Sequence, residues 1–478
     1  MPLPGNKTKI VCTIGPASET PDVLKNMLFA GMNIARLNFS HGDFSSHRQV
    51  IENLRSAALA TERRLTIMAD LPGPKMRIGM LAQDSITLRP GDTFILTTDE
   101  ILGDATRVSV SFSQLPQAVK PGDRLFLNDG LIQLKALQTQ NNDVHCRVVV
   151  GGDLSSRKGL NLPGIDLGIS SFTNHDFSCL KFALEQGVDV ISQSFVNCAA
   201  DINEVRSAAE SLGYSPFIIA KIERSNALEH IDEIIDAADG IMIARGDLGV
   251  EVPIETIPVI QKRLMKLANL QGKPVITATQ MLESMTHNSR PTRAEATDVA
   301  NAILDGTDCV MLSGESAVGS YPVESVAMLA KIAAAIEPNR PMLKVKELFK
   351  DGVSNGPIRP AHLIALSVEA CLEHVQPAAV FVPTRSGSTA RRIAQFHLPV
   401  WIIATSSQEK TCQRLQFSAG VWPVNLQEQP EDWNGYIKNW TSSRGLVGDF
   451  IILAEGPSTK YPDSNHRLEI IDLQQERA

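Results

Sequence analysis

The sequence has no apolar run approaching the roughly 18 residues that span a bilayer, which excludes a membrane-spanning protein. It has no paired cysteine spacing of the zinc or redox type, since even Cys179 and Cys198, the closest of its seven cysteines, lie 19 positions apart. It has no excess of positive charge, because 45 Lys and Arg against 53 Asp and Glu give a net charge of −8. We therefore expect no membrane or nucleic-acid partner, and an anionic ligand needs a local positive site.

The residues before Lys9 are polar and include Pro2, Pro4 and Gly5, without the apolar segment of an export signal. Together with an odd number of widely spaced cysteines, this predicts a reducing, cytoplasmic location. The length of 478 residues predicts about three domains.

Eight short apolar runs, rich in β-branched residues, have the character of buried parallel strands. Most are separated by one segment of helical periodicity, such as Pro21–Ala30 or Arg293–Leu304. Eight such units predict a closed (β/α)8 barrel, with an open doubly wound sheet as the alternative. The runs are Ile10–Ile14, Asn33–Leu37, Leu65–Ala69, Val188–Ser192, Phe217–Ile222, Gly240–Ala244, Pro274–Ala278 and Asp308–Leu312.

The barrel pattern is interrupted from Leu71 to Leu167, where apolar and polar residues alternate between turn sequences. This predicts an antiparallel β-barrel inserted after the third strand, where it would act as a mobile lid over the active-site face; the alternative is an insertion without a catalytic role. Beyond the polar stretch Lys344–Pro360, a small α/β pattern follows. The predicted domains are a catalytic barrel (1–70 and 168–340), a lid (71–167) and a C-terminal α/β regulatory domain (341–478).

Polar residues follow the apolar runs where a parallel barrel gathers strand ends at one mouth. Glu223 and Asp247 offer the oxygen ligands that Mg2+ prefers, with Mn2+ as the alternative ion. Alternatively they are acids neutralised by Arg245 or Lys221. With Arg36 and Lys221 added, the set predicts a site that surrounds a phosphoryl group. The strand-end residues are Arg36, Asn38, Ser40, His41, Asp70, Lys221, Glu223, Arg245, Gly246, Asp247, Thr277, Thr279, Ser313 and Glu315.

A second anion site is predicted in the third domain, in a segment that follows a strand and opens a helix. Its hydroxyls, free backbone N–H groups and nearby arginines favour a phosphate, and the alternative is a capped helix with a glycine entry. The segment is Thr384, Arg385, Ser386, Gly387, Ser388 and Thr389.

Long motifs over nearly the whole chain resemble the pyruvate kinase family. They are Lys9–Pro16, Arg36–Gly42, Gly159–Gly164, Lys221–Glu223, Ala244–Gly249, Thr277–Met281, Pro291–Asp308 and Met311–Ala317. The resemblance implies a Mg2+-dependent homotetramer that transfers a phosphoryl group from phosphoenolpyruvate to ADP, giving pyruvate and ATP in the final step of glycolysis. Two alternatives are a Mg-dependent lyase acting on phosphoenolpyruvate or pyruvate, and a non-catalytic sugar-phosphate-binding regulatory protein. The lid and Lys221 disfavour the lyase, and the presence of every expected catalytic position disfavours the regulator.

Carried onto this sequence, the family's roles assign the phosphoryl grip to Arg36, its stabilisation in transit to Lys221, and Mg2+ to Glu223 and Asp247. The implied substrate contacts add Gly246, Asp247 and Thr279, and the implied proton path to the enolate consists of Thr279, Ser313 and Glu315. The implied nucleotide contacts are Asn38, Phe39, Ser40, His41, Arg77 and Lys158, with Asp129 of the lid as a weaker candidate.

The sequence departs from the family at the potassium site, where the usual Asp-Thr-Lys-Gly-Pro-Glu is here Asp70-Leu71-Pro72-Gly73-Pro74-Lys75. Leu71 offers no hydroxyl ligand, and the Lys75 ammonium, near Asn38, Ser40 and Asp70, is predicted to replace the ion, so that no K+ is required. The alternative is a solvated surface lysine.

Two further departures bear on anion binding. Val196-Asn197-Cys198 lacks the family's usual basic residue, and Gly456–Asp463 does not match the glycine-rich effector loop of the family members regulated by fructose bisphosphate. The identity of the effector is therefore open, and the Thr384–Thr389 segment with its arginines predicts a phosphorylated sugar or a nucleotide monophosphate.

Overall fold

The chain opens with two strand–helix units and a third strand, in a computed structural model that describes residues 2–165, 168–343, 360–456 and 466–473. Local signals set the helix ends: Gly31, at φ 124°, terminates the first helix, and the Asp43 carboxylate caps the second by accepting from Ser46 N at 2.8 Å. The elements are β1 (Lys9–Thr13), α1 (Pro21–Ala30), β2 (Ile34–Asn38), α2 (Phe44–Thr61) and β3 (Thr66–Leu71).

The inserted β domain follows β3. Its elements are β4 (Ser85–Leu88), β5 (Thr93–Thr97), β6 (Arg107–Ser109), α3 (Leu115–Ala118), β7 (Arg124–Leu127), β8 (Ile132–Gln140), β9 (Asp143–Val150), β10 (Gly152–Ser155) and β11 (Leu160–Asn161). The order β11-β7-β8-β9-β5-β6 forms one sheet, and β10 pairs with β4 in another. The expected antiparallel β-barrel is thus corrected to two sheets, in which the crossover through 98–106 makes β5 and β6 parallel.

The remaining barrel units alternate regularly. They are α4 (Asn174–Glu185), β12 (Val190–Gln193), α5 (Ala199–Ser211), β13 (Phe217–Ile222), α6 (Ile231–Ala237), β14 (Gly240–Ala244), α7 (Arg245–Glu251), α8 (Ile257–Leu270), β15 (Val275–Ala278), α9 (Arg293–Asp305), β16 (Cys309–Leu312), α10 (Gly314–Ala317) and α11 (Pro322–Ile336). The parallel order β1-β16-β15-β14-β13-β12-β3-β2 closes on itself. The predicted (β/α)8 barrel is confirmed, and the open sheet is wrong.

The C-terminal domain is a five-stranded sheet between helices. Its elements are α12 (Pro360–Leu372), β17 (Pro377–Pro383), α13 (Ser388–Ala394), β18 (Trp401–Ser406), α14 (Glu409–Leu415), β19 (Val421–Asn425), α15 (Trp433–Ser443), β20 (Phe450–Glu455) and β21 (Arg467–Asp472). In the order β19-β18-β17-β20-β21 only the last pair is antiparallel. The predicted α/β domain is confirmed. Residues 344–359 of the predicted connection lie outside the described residues, as does Leu167 at the predicted lid boundary.

The barrel floor is closed by the C-terminal domain. Phe417 joins the buried cluster formed by inward residues of the strands, and its ring centroid lies 6.0 Å from that of Phe217 on β13. The floor is therefore a packed core, and polar chemistry is left to the opposite end of the barrel. In the described ranges, no helix is both long and apolar enough to span a membrane.

Candidate active site

The centre of the site is a buried ion cluster at the carboxyl ends of β2, β3 and β13. Arg36 donates from Nε to Asp70 Oδ2 at 2.9 Å, and its Nη1 donates to Thr13 Oγ1 at 2.9 Å. The Arg36 Nη2 also donates to Asp70, which fixes the plane of the guanidinium. Although burial opposes it, the charges of Lys221 and Arg36 hold the pKa of Asp70 below its usual value.

Lys221 links the two carboxylates of this cluster. Its ammonium lies 3.3 Å from Asp70 Oδ2 and 2.8 Å from Glu223 Oε1. Burial lowers the pKa of Lys221, but these two anions outweigh it and raise the pKa, so the lysine stays charged. Lys221 thus compensates the charge of Glu223, and the same contact puts lysine and carboxylate side by side in the site.

Two residues just past β12 complete the cluster. Lys221 Nζ donates to Ser194 Oγ at 2.6 Å, and the Phe195 backbone N–H donates to Glu223 Oε2 at 2.8 Å. Phe195 adopts a left-handed φ of 57°. The sequence reasoning did not assign a role to either residue, although the same strand-end rule points to Ser194, two positions beyond Ser192 on the same face of the strand.

Gly246 and Thr279 meet where β14 and β15 end, and Asp247 follows Gly246 in the first turn of α7. Gly246 N donates to Thr279 Oγ1 at 2.8 Å, so these predicted substrate contacts are adjacent. Arg245 donates from Nη2 to the Thr279 carbonyl at 2.8 Å and forms an ion pair with Asp298 at 2.7 Å. Arg245 therefore neutralises Asp298, and the alternative in which it compensates the Glu223–Asp247 pair is wrong.

The donor set fits a divalent ion shared with a substrate. Burial raises the pKa of Glu223, and the neighbouring Asp247 carboxylate raises it further against the opposing charge of Lys221. Two repelling carboxylates of this kind favour a cation between them. Within the described part of the chain, no group of three or more His, Cys, Asp and Glu could hold a metal. Two carboxylates completed by substrate and water oxygens suit Mg2+, which rarely takes an all-protein cage.

Ser313 and Glu315 are joined to each other at the end of β16. The Glu315 carboxylate is fully buried and accepts from Ser313 N at 2.7 Å and from Leu282 N at 3.0 Å. It thereby ties the loop after β15 to the loop after β16. Thr277 is also fully buried and donates to Thr307 Oγ1 at 2.9 Å, as an ordinary core threonine does.

Comparison with known proteins agrees with this geometry. Residues 5–326 match the family described as pyruvate kinase, barrel domain, and residues 362–471 match pyruvate kinase, alpha/beta domain. A pyruvate kinase of Thermococcus litoralis is 50% identical over 460 residues, covering 95% of this chain and 96% of the relative. Pyruvate kinases of Geobacillus stearothermophilus (44% identical; 94% and 77% covered) and Mycobacterium tuberculosis H37Rv (40% identical; 94% and 94% covered) also match.

The chain belongs to the pyruvate kinase family. It is a phosphotransferase with the family's reaction, and the predicted function is confirmed, so the lyase and the non-catalytic regulator are set aside. The family needs a divalent metal ion, in keeping with the Glu223–Asp247 pair.

The residues that the pyruvate kinase resemblance assigns to the nucleotide lie at the end of β2, on the loop that follows it, and on the lid edge. Asn38 Oδ1 accepts from Ser40 N at 3.1 Å, and Phe39 is buried with its ring stacked on His47 at 4.3 Å. His41 is exposed. The partial burial that remains, together with the charges of Arg77, Lys75 and Arg36, lowers the pKa of His41.

The lid edge holds the remaining nucleotide candidates in one strip. Arg77 Nη1 donates to Arg157 O at 3.0 Å, beside Lys158, whose carbonyl accepts from Ile78 N at 2.9 Å. Asp129 of the lid and Asp247 of the barrel line one small cavity of about 20 Å3 together with Lys75. The lid and the barrel thus approach each other at the predicted metal site.

Leu71 and Lys75, the two departures from the family's potassium site, lie in different surroundings. Leu71 is fully buried, and its carbonyl accepts from Ser194 Oγ at 2.7 Å. The Lys75 side chain is exposed. Within the described residues its ammonium has no ion pair with Asp70, whose partners are Arg36 and Lys221.

The predicted effector segment forms a tight turn before α13. Gly387, at φ 79°, donates from N to Thr384 Oγ1 at 3.0 Å, and Ser388 N donates to Ser386 Oγ at 3.4 Å. Arg385 and Ser386 are exposed, whereas Thr389 is buried. Of the atypical C-terminal loop, Gly456 is described and approaches Thr389, and residues 457–465 lie outside the described residues.

Proposed function

We propose that the Arg36–Asp70–Lys221–Glu223 cluster carries the transfer of the phosphoryl group from phosphoenolpyruvate to ADP, with Mg2+ or Mn2+ held by Glu223 and Asp247. The observation that carries this proposal is the Lys221 ammonium, buried between two carboxylates at the mouth of the barrel. A charge fixed in a desolvated site stabilises a transferring phosphoryl group without reorganisation.

Arg36 grips the phosphoryl group in this scheme. A guanidinium has five N–H groups, and Asp70 and Thr13 take three of them, which leaves two for phosphoryl oxygens. Because Asp70 and Thr13 also fix its plane, Arg36 needs little reorganisation when the substrate arrives. Gly246 and Thr279 would contact the substrate from the opposite side of the mouth.

Lys221 stabilises the phosphoryl group during its transfer. Two of its contacts are with carboxylates, so the ammonium can exchange a carboxylate oxygen for a phosphoryl oxygen and remain compensated. A divalent ion at Glu223 and Asp247 would supply charge neutralisation for the phosphoryl and enolate oxygens. The enolate left behind takes a proton at carbon, for which the Thr279 hydroxyl, Ser313 and Glu315 form the proposed path.

The nucleotide would lie between the β2 loop and the lid edge, against Asn38, Phe39, Ser40 and His41. Arg77 and Lys158 would neutralise its phosphates from the lid side. The approach of lid and barrel at Asp129 and Asp247 supports a lid that closes over both substrates.

We further propose that the reaction needs no potassium, because Lys75 supplies the monovalent charge near Asn38, Ser40 and Asp70. Its effect on the pKa of His41 supports this placement, since His41 follows Asn38 and Ser40 in the same loop. Leu71, buried and without a side-chain oxygen, would leave a bound ion one ligand short.

The proposed partners extend to regulation and assembly. A phosphorylated sugar or a nucleotide monophosphate would bind the segment Thr384–Thr389, where Ser386 is exposed, with the exposed Arg385 as its charge partner. The active assembly would be a homotetramer, and the proposed location is the cytoplasm.

The test is ATP formation from ADP and phosphoenolpyruvate in a coupled assay, with the wild type beside Lys221→Met. We expect Mg2+-dependent ATP formation by the wild type and a loss of kcat of about a thousandfold in the variant, with phosphoenolpyruvate binding largely kept. Undiminished turnover of Lys221→Met would contradict the role assigned to this lysine.

A further inference from the structure

The turn Ser194–Phe195 contacts both the catalytic lysine and a proposed metal ligand, and it lies outside the residues assigned so far. Ser194 follows β12 and is 2% exposed, so its hydroxyl must be satisfied by protein groups. It lies between Leu71 O at 2.7 Å and Lys221 Nζ at 2.6 Å.

The polarity of this hydroxyl is fixed by its neighbours. A serine hydroxyl carries one proton, and the Leu71 carbonyl can only accept, so that proton points to Leu71. The lone pairs then face Lys221, whose ammonium can only donate. Ser194 therefore gives Lys221 a neutral, oriented partner, whereas Asp70 and Glu223 are charged partners that a substrate or metal can engage.

The turn itself is held rigidly. A side chain at Gly73 would approach the Phe195 ring at 2.7 Å and Ser194 Cβ at 3.2 Å, so the start of the lid connection packs directly on the turn. The Phe195 amide, in its left-handed conformation, donates to Glu223. Such backbone strain persists where surrounding contacts over-determine it, and it is common at functional sites.

We propose that Ser194 is a positioning residue for phosphoryl transfer, whose hydroxyl, fixed by the Leu71 carbonyl, aims the Lys221 ammonium at the transferring group. This rests on the proposed role of Lys221. Because Leu71 directly follows Asp70, the hydroxyl also ties the lysine to the strand end where the family binds its monovalent ion.

The experiment compares steady-state kinetics of Ser194→Ala and Ser194→Cys in the full-length protein. Alanine removes the hydroxyl, and cysteine restores most of the volume with a much weaker hydrogen-bonding group. We expect both variants to lower kcat by about tenfold to a hundredfold, as for a lost hydrogen bond to a charged group, with KM for phosphoenolpyruvate changed less than about threefold.

The matched control is Ser192→Ala, on β12 two positions before Ser194 and fully buried, whose hydroxyl has no hydrogen-bond partner among the described residues. We expect its kcat to stay within about twofold of the wild type. Circular dichroism and melting temperature establish that each variant is folded. Wild-type kcat in Ser194→Ala, or recovery of kcat in Ser194→Cys, would overturn the proposal, because packing would then account for the contact.

A double-mutant cycle separates this inference from the function on which it rests. If Ser194 acts through Lys221, Ser194→Ala causes no further loss of kcat in a Lys221→Met background. A full additional loss there would show that Ser194 acts independently. Full activity of Lys221→Met alone would instead remove the role proposed for the lysine, whatever Ser194 does.

Discussion

At the scale of single residues, the site is a balance of four buried charges. Arg36 and Lys221 face Asp70 and Glu223, and all four side chains are at least nine-tenths buried. Removing one partner of such a group leaves an uncompensated charge, which costs more than the loss of a surface ion pair. The cluster is therefore preorganised before the substrate arrives, and each member must be tested with a substitution of similar shape.

The first prediction concerns the two proposed metal ligands. Glu223→Gln and Asp247→Asn keep shape but remove an anionic ligand, so we expect the Mg2+ concentration for half-maximal activity to rise at least about tenfold. Asp22→Asn, an exposed carboxylate on α1, is the control and leaves the titration unchanged. Wild-type Mg2+ titrations for both site variants would show that the ion is held elsewhere.

The second prediction concerns Lys75. Activity is expected to be equal in sodium, potassium and tetramethylammonium salts at matched ionic strength, because the positive charge is part of the chain. Lys75→Glu should lose activity, with partial recovery in potassium, since Leu71 offers no side-chain ligand. Lys75→Gln distinguishes loss of charge from reversal of charge. Several-fold activation of the wild type by potassium over tetramethylammonium argues against the built-in cation.

At the scale of elements, the barrel strands were predictable because each is a short, continuous apolar run, and all eight proved to be strands of the barrel. The turns that follow these strands were harder to predict from the sequence. Phe195 and Thr279 adopt φ of 57° and 70°, which side-chain-bearing residues rarely do. The hydrogen bonds of Gly246 and Arg245 to Thr279 hold that turn, and they come from a neighbouring unit that local sequence does not reveal.

In the lid and in the site, too, local sequence did not reveal contacts between distant parts of the chain. The alternation of apolar and polar residues predicted the strands of the lid, but the parallel pairing of β5 with β6 depends on a long-range crossover. Charged residues at strand ends were recognised from their type. The strand-end rule points to the position of Ser194, but its residue type adds no signal, since a serine after a strand is ordinarily a turn residue. Only the fold places Leu71 and Lys221 on either side of it.

The third prediction belongs to the turn before α13. Ser386→Asp places an anion in the exposed segment and should abolish any lowering of the apparent phosphoenolpyruvate requirement by a hexose monophosphate or AMP. In Ser386→Asn the new side chain has nearly the same shape as aspartate but no charge, so this variant should keep the response to the effector. Initial rates at limiting phosphoenolpyruvate, with and without each compound, provide the measurement. A fully responsive Ser386→Asp places the effector elsewhere.

At the scale of the whole molecule, the barrel floor is joined to the C-terminal domain by buried polar contacts. Lys9 Nζ donates to Val421 O at 2.7 Å, and Asp308 Oδ1 accepts from Ala419 N at 2.9 Å. Such contacts are costly to leave unpaired, so they fix one orientation of the two domains. The floor of the barrel thus serves stability, as its mouth serves chemistry.

The fourth prediction concerns Asp308 at this junction. Its second oxygen accepts from Val275 N at 3.0 Å, so its carboxylate joins the barrel to the C-terminal domain. Burial raises its pKa from 3.8 to about 6, against the opposing effects of these hydrogen bonds and of Arg340 and Lys9. Between about pH 4 and 6 the folded protein therefore binds more protons at this site than the unfolded chain does.

The direction in which stability depends on pH follows from that difference in bound protons. The contribution of Asp308 to the free energy of unfolding grows by about 2 kcal/mol as pH falls from 7 to 4, and it is constant above about pH 7. Asp308→Asn cannot titrate, and its single carbonyl loses one amide partner at every pH. We therefore expect the stability of the wild type relative to Asp308→Asn to increase as pH falls, measured by urea or thermal unfolding of both proteins. Other acids, including Asp189 with a pKa raised to about 6 by burial, are common to both proteins and largely cancel in the difference. A difference in stability that stays constant from pH 7 to 4 would mean that Asp308 has an ordinary pKa in the folded protein.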